Sequence, residues 1–271
     1  MYPRLVQKVY FSRWAIRPDA LSTILGVLHS RLAGEAAPLA IAKAAASAAP
    51  VLSPDSGTVV LFGSGILGKH LSQMDMDCGG LSVDALQSAL SAAAADPAVR
   101  NIVLHLDTPG GVVTGIPETA DLIASIAKRK CIVAFCDSLC ASAGYWLASA
   151  CSAIYCTKSA ELGSIGVYSA FMDLTAAYAQ KGVKVELFKD GTHKAAGYPG
   201  TPLTDEQRAD ILAGVMATSA AFKGDVTARR PHVTADTMQG QCFTGLDAVR
   251  VGLADLVVDS MADVLADLSR L

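Results

Sequence analysis

From Thr58 onward, short runs of β-branched and aliphatic residues alternate with stretches whose apolar positions recur every three or four residues, a pattern of stacked β-α units. Strands are predicted at Val59 to Phe62, Ile102 to Leu106, Ile132 to Phe135, Ala153 to Cys156, Val167 to Phe171 and Val183 to Phe188. Helices are predicted from a Ser82 cap through Ala94, over Pro117 to Lys128 and over Ser142 to Ala150. A longer helix follows a capping box made by Thr204 and Gln207, with Ile211, Val215 and Phe222 on one face as a packing stripe. Before this pattern lies an arm, residues 1–55, that ends in an Ala-rich segment and the turn-like Ser53-Pro54-Asp55-Ser56-Gly57. A single domain is expected over residues 56–271, with no internal repeat.

Composition narrows the classes. With 52% hydrophobic and 17% charged residues, a chain of 271 residues can bury one large core. A net charge of −3, with no basic run longer than Lys128-Arg129-Lys130, gives no footprint for nucleic acid. No stretch reads as a membrane anchor or a secretory signal, because Arg17, Asp19, His29 and Arg31 interrupt the early apolar residues. Seven cysteines without paired metal-ligand spacing read as reduced core residues, which suits an intracellular, cytoplasmic setting. No metal or organic cofactor is implied.

Four segments carry candidate chemistry, each with a plainer reading beside it. Asp107-Thr108-Pro109-Gly110-Gly111 follows a strand; its Gly111 N–H could face an oxyanion, although an ordinary β-α turn explains the same residues. Ser142 lies in Cys140-Ala141-Ser142-Ala143-Gly144-Tyr145-Trp146 at a helix start, where the dipole favours negative charge and the Ala143 N–H could be a second donor. A simple N-cap serine is the alternative. Ser164, in Gly163-Ser164-Ile165-Gly166, is either a turn serine or a hydroxyl that orients a base. Lys194, in Gly191-Thr192-His193-Lys194-Ala195-Ala196-Gly197, is either solvated or a general base, and the second role requires an apolar setting that keeps it neutral.

Together these segments resemble the signal peptide peptidase A family of serine proteases, over roughly Val59 to Val258. Ser142 precedes Lys194 by 52 residues and Ser164 by 22, spacings similar to those of the family's nucleophile, base and supporting serine. The resemblance implies a Clp protease/crotonase-like α/β fold, Ser142 as nucleophile, Lys194 as base, Ser164 holding the lysine amine, and an oxyanion hole of Gly111 and Ala143. A Clp-type triad would need a histidine near Val167, where none occurs, and His193 is a weaker candidate base.

The Gly-Thr-His-Lys-Ala-Ala-Gly segment and the arm's Trp14-Ala15-Ile16 are similar to the tailed-phage and prophage capsid-assembly branch of the family. That branch implies polypeptide substrates such as scaffold, portal or capsid proteins, action in the host cytoplasm or assembling prohead, and homo-oligomerisation. The alternatives are a bacterial signal peptide peptidase, a crotonase-like acyl-CoA enzyme and a non-catalytic assembly protein.

Overall fold

A computed structural model describes residues 12–32, 51–53, 57–77 and 79–270 of the chain. In chain order its elements begin with β1 (Trp14–Ile16), α1 (Pro18–Leu32), β2 (Val51–Ser53), β3 (Thr58–Ser64), β4 (Ile66–Gly68), α2 (Gln73–Asp77), β5 (Gly80–Ser82) and α3 (Val83–Ala95). They continue with β6 (Asn101–Asp107), β7 (Gly110–Val112), α4 (Ile116–Ala127), β8 (Cys131–Cys136), β9 (Leu139–Ala141), α5 (Ala143–Ser149), β10 (Ala153–Cys156) and β11 (Glu161–Gly163). The remainder comprises α6 (Thr175–Gln180), α7 (Asp205–Arg229), a short 3-10 turn, β12 (Cys242–Thr244), α8 (Gly245–Arg250), β13 (Leu256–Val257) and α9 (Met261–Leu268).

The main sheet has the order β13-β10-β8-β6-β3-β2, parallel except for β2. Its central strands are apolar at nearly every position because both faces are covered. Ile102, Leu104 and Leu106 of β6 point into the larger core, with Ile116, Ile123 and Trp146 from the helices. Val103 points the other way, into a second cluster with Val133, Phe135 and Tyr155 that α9 covers through Val264 and Leu268.

Each of β3, β6, β8 and β10 runs out of the main sheet into a short strand of a smaller one. β4 and β7 join a sheet of order β1-β7-β4-β5, and β9 and β11 one of order β12-β11-β9. The chain is thus an α/β stack of β-α units, and the turns at the strand ends gather on one side of the molecule.

The four expected core strands and the helices after Ser82, Gly115 and Ser142 form within a residue or two of their predicted limits. The expected cap is also present: the Thr204 hydroxyl accepts from the Gln207 N–H, while the Gln207 side chain accepts from the Thr204 N–H. Thr204→Ala is expected to cost about 1 kcal/mol in denaturant unfolding. Of the predicted stripe on α7 only Phe222 is fully buried; Ile211 and Val215 are half-buried.

Two expected strands do not form. Val167 to Phe171 contributes a single bridge, Trp14 to Tyr168, and Val183 to Phe188 has no ladder partner among the described residues. The apolar alternation there is real, but a strand needs an edge to pair with, and Phe188 is left 94% exposed.

Candidate active site

Ser142 occupies the junction between β9 and α5. Its N–H donates to the Gly163 carbonyl at 2.8 Å, and its carbonyl accepts the first helical bond, from the Trp146 N–H at 2.9 Å. These bonds fix the backbone at φ 55, ψ −117, a region that side-chain-bearing residues seldom enter. Ser142 is the N-cap of α5 by position, but its hydroxyl makes no cap bond. It is sealed from solvent, with no hydrogen-bond partner among the described residues, and the residue as a whole is 1% exposed.

The helix behind it is held rigidly. Trp146 stacks on Phe222 of α7 with centroids 4.4 Å apart and planes 5° from parallel, and its Nε1–H donates to Asp225 at 2.8 Å. The Tyr145 hydroxyl donates to the Leu253 carbonyl at 2.8 Å, and burial pushes its pKa far above the usual phenol value.

Thr108 binds the Pro-Gly-Gly turn to this junction, a role the sequence reading did not assign. Its hydroxyl donates to the Gly65 carbonyl at 2.6 Å and accepts from the Gly110 N–H at 3.1 Å. Its backbone receives the Ala141 N–H at 3.0 Å and donates to the Leu139 carbonyl at 2.7 Å. A β-branched hydroxyl just before Pro-Gly-Gly was the available signal. The turn comes so close that a Cβ added to Gly110 would lie 2.9 Å from the Ser142 Cβ, and one on Gly144 would lie 2.3 Å from the Thr108 Cγ2. This approach explains the small residues after Ser142.

Ser164 stands beside the nucleophile candidate. β11 runs parallel to β9 with Gly163 opposite Ala141, so Ser164 and Ser142 each follow the end of neighbouring strands, and both have positive φ, 51 and 55. Ser164 is held by its N–H bond to the Gln241 carbonyl at 2.7 Å. Gly111, Ala143, Ser142 and Ser164 are therefore gathered at one end of the stack.

Lys194 is not brought there. It is exposed, in a loop whose Thr192 carbonyl accepts from Lys189 Nζ at 2.8 Å and Gln207 Nε2 at 3.0 Å. His193 faces Glu206 and Asp210 of α7, 3.8 Å from each.

Cys136, Cys140, Cys151 and Cys156 are buried free thiols, as expected; Cys131 and Cys242 are half-buried, and Cys78 lies outside the described residues. Burial pushes Cys151 and Cys156 up to about 12, which leaves them protonated and poor nucleophiles. No group of three metal-ligating side chains occurs among the described residues, and no described helix is long and apolar enough to cross a membrane.

Among known proteins, the chain is 35% identical to the capsid assembly protease C of Escherichia phage lambda over 76% of its own length and 47% of that protein's. It is 32% identical to the head-tail preconnector protein GP5 of Enterobacteria phage P21, over 76% of this chain and 41% of the other. It is 28% identical to protease 4 of Salmonella typhi, over 67% of this chain and 30% of that one. The chain thus spans about half or less of the length of these curated relatives. An enoyl-CoA hydratase/isomerase family member aligns in structure at 18% identity and a TM-score of 0.45, over 82% of this chain and 74% of the other. The family model of peptidase family S49 matches residues 124–270, which include Ser142, Ser164 and Lys194, and the chain belongs to that family.

Proposed function

We propose that the chain is a serine endopeptidase that cuts peptide bonds through an acyl-enzyme on Ser142, with Lys194 as general base. The observation that carries this reading is the Ser142 hydroxyl itself, which is held in a strained backbone, caps nothing and lies against the Pro-Gly-Gly turn.

In the reaction, neutral Lys194 takes the Ser142 proton as Oγ attacks the scissile carbonyl carbon. The Gly111 and Ala143 N–H groups stabilise the resulting oxyanion. The Lys194 ammonium then passes its proton to the leaving amine as the C–N bond breaks. Water adds to the ester, again losing its proton to Lys194, and release of the acid returns a proton to Ser142. Ser164 Oγ holds the lysine amine in place. The chemistry uses no metal or organic cofactor.

For this to occur, the loop carrying Lys194 must dock over Ser142. The unpaired Val183 to Phe188 segment, with Phe188 fully in solvent, supports docking through self-assembly, in which another copy supplies the missing strand edge. The likeness to the phage proteins supports capsid-associated or scaffold polypeptides as substrates, met in the host cytoplasm or the assembling prohead.

Lys194→Met tests the base. Cleavage of an unfolded polypeptide at neutral pH is expected to fall by about a hundredfold or more, the usual contribution of a positioned base. Cleavage at the wild-type rate would place the base elsewhere.

A further inference from the structure

A peptide bound for attack by Ser142 would run beside Gly110–Val112, where its backbone can pair with the strand that carries the Gly111 N–H. Neither edge of β7 is free. One pairs with β4 at Leu67 opposite Gly111, and the other carries β1, antiparallel, with Trp14 opposite Val112, Ala15 opposite Gly111 and Ile16 opposite Gly110.

The ladder continues beyond these three pairs. The Val113 N–H donates to the Arg13 carbonyl at 3.2 Å, and the Arg17 N–H to the Pro109 carbonyl at 2.9 Å. Hydrogen-bonded pairs alternate along an antiparallel ladder, so Ala15 and Gly111 form the bonded pair between them. The Gly111 N–H therefore donates to the Ala15 carbonyl oxygen. On its far side Trp14 exchanges both backbone bonds with Tyr168, at 2.9 and 3.0 Å, so this edge strand is bonded on both sides at Trp14.

The same carbonyl lies next to the serine. A Cβ added to Gly110 would be 2.1 Å from the Ala15 oxygen, 3.0 Å from the Ala15 carbonyl carbon and 2.9 Å from the Ser142 Cβ. Ala15 is itself fully buried, and the Ser142 oxygen has no contact with solvent.

We propose that Arg13 to Arg17 occupies the peptide cleft in substrate register, with Ala15 at the position whose carbonyl is attacked, and closes the site until it is displaced. This rests on the reading of Ser142 as the nucleophile. Two features hold the strap. Trp14, Ile16 and Leu21 are buried in a small cluster with Val112 and Tyr168, and the Arg17 guanidinium pairs with Asp19 and Glu161. The Ala15–Ile16 bond can rest there uncut because Lys194 is exposed and the Ser142 hydroxyl has no hydrogen-bond partner among the described residues. A peptide that replaces the strap in the same register carries a small residue where Ala15 is buried.

The test is the rate at which a fluorophosphonate probe labels Ser142 in the full chain. Glu161→Gln removes one anchor from an exposed surface position and is expected to raise the rate severalfold. Trp14→Ala removes the main apolar anchor and is expected to raise it on the order of a hundredfold. A synthetic peptide spanning Ser12 to Asp19 should slow labelling of the Trp14→Ala chain back toward wild type. Ser142→Ala should remain unlabelled. Equal rates in wild type and both strap variants, each with native circular dichroism, would overturn the strap and leave the nucleophile standing; no labelling of any chain would overturn both.

Discussion

Ser142→Ala is expected to abolish peptide cleavage and, in the same protein, to raise the melting temperature. A serine that served the fold would do the opposite. The loss in turnover is set by removal of the nucleophile, about 10⁴-fold or more. The gain in stability has a separate origin. A buried hydroxyl without a partner carries its desolvation penalty into the folded state, and removing it, as alanine does, removes a cost of about 1 kcal/mol or more. Ser142 presents that situation, since its oxygen is sealed, has no partner among the described residues and makes no cap bond to α5.

Alanine keeps the Cβ, however, and so keeps the backbone strain at φ 55. Ser142→Gly should relieve that as well, adding about 1 kcal/mol. The two variants should therefore melt in the order wild type, Ala, Gly, each step worth a few degrees in a chain of this size. A fall in melting temperature for Ser142→Ala would mean that the hydroxyl supports the fold, and the nucleophile assignment would lose its main physical argument.

How far the sequence showed this arrangement differs from element to element. β6 and β8 were legible because a strand buried on both faces must be apolar throughout, whatever packs against it. The α7 capping box was legible because its partners are three residues apart. The short strands β4, β7, β9 and β11 were not. Three residues carry too little alternation, and what makes Gly110–Val112 a strand is its pairing with Leu67 and Ala15, both far away in the chain. Val183 to Phe188 fails in the other sense: its local pattern is that of a strand, but the partner edge is absent from the described residues.

The site divides in the same way. Ser142 and Ser164 were legible as motifs, and parallel pairing of the strands that carry them sets them side by side. Lys194 stands out in the sequence by its spacing alone, and its loop leaves it exposed. The pairing of Trp14 to Ile16 with Gly110–Val112 had no local sign, because it arises only from what lies across the ladder.

Gly111→Ala is expected to damage both chemistry and fold, and for one reason. A Cβ at Gly111 would lie 2.0 Å from the Leu67 carbonyl oxygen and 2.6 Å from its carbon, atoms of backbone and not of a side chain that could turn away. β4 cannot yield freely, since the Gly65 N–H is bonded to the Asp107 carbonyl at 3.0 Å and the Ile66 N–H to Gly79 at 2.9 Å. β7 must then move, and the Gly111 N–H moves with it. Losing one oxyanion donor costs about 10²- to 10³-fold in kcat, and crowding of this kind costs about 1–3 kcal/mol in stability. Gly224→Ala supplies the control: its added Cβ meets nothing within 4 Å on the exposed side of α7, so it should gain up to about 1 kcal/mol from helix propensity with unchanged kcat. If Gly111→Ala folds and keeps the wild-type kcat, the oxyanion donor lies elsewhere in the turn. A kcat that falls while KM holds would assign to the Gly111 N–H a bond that matters only once the carbonyl has become an oxyanion.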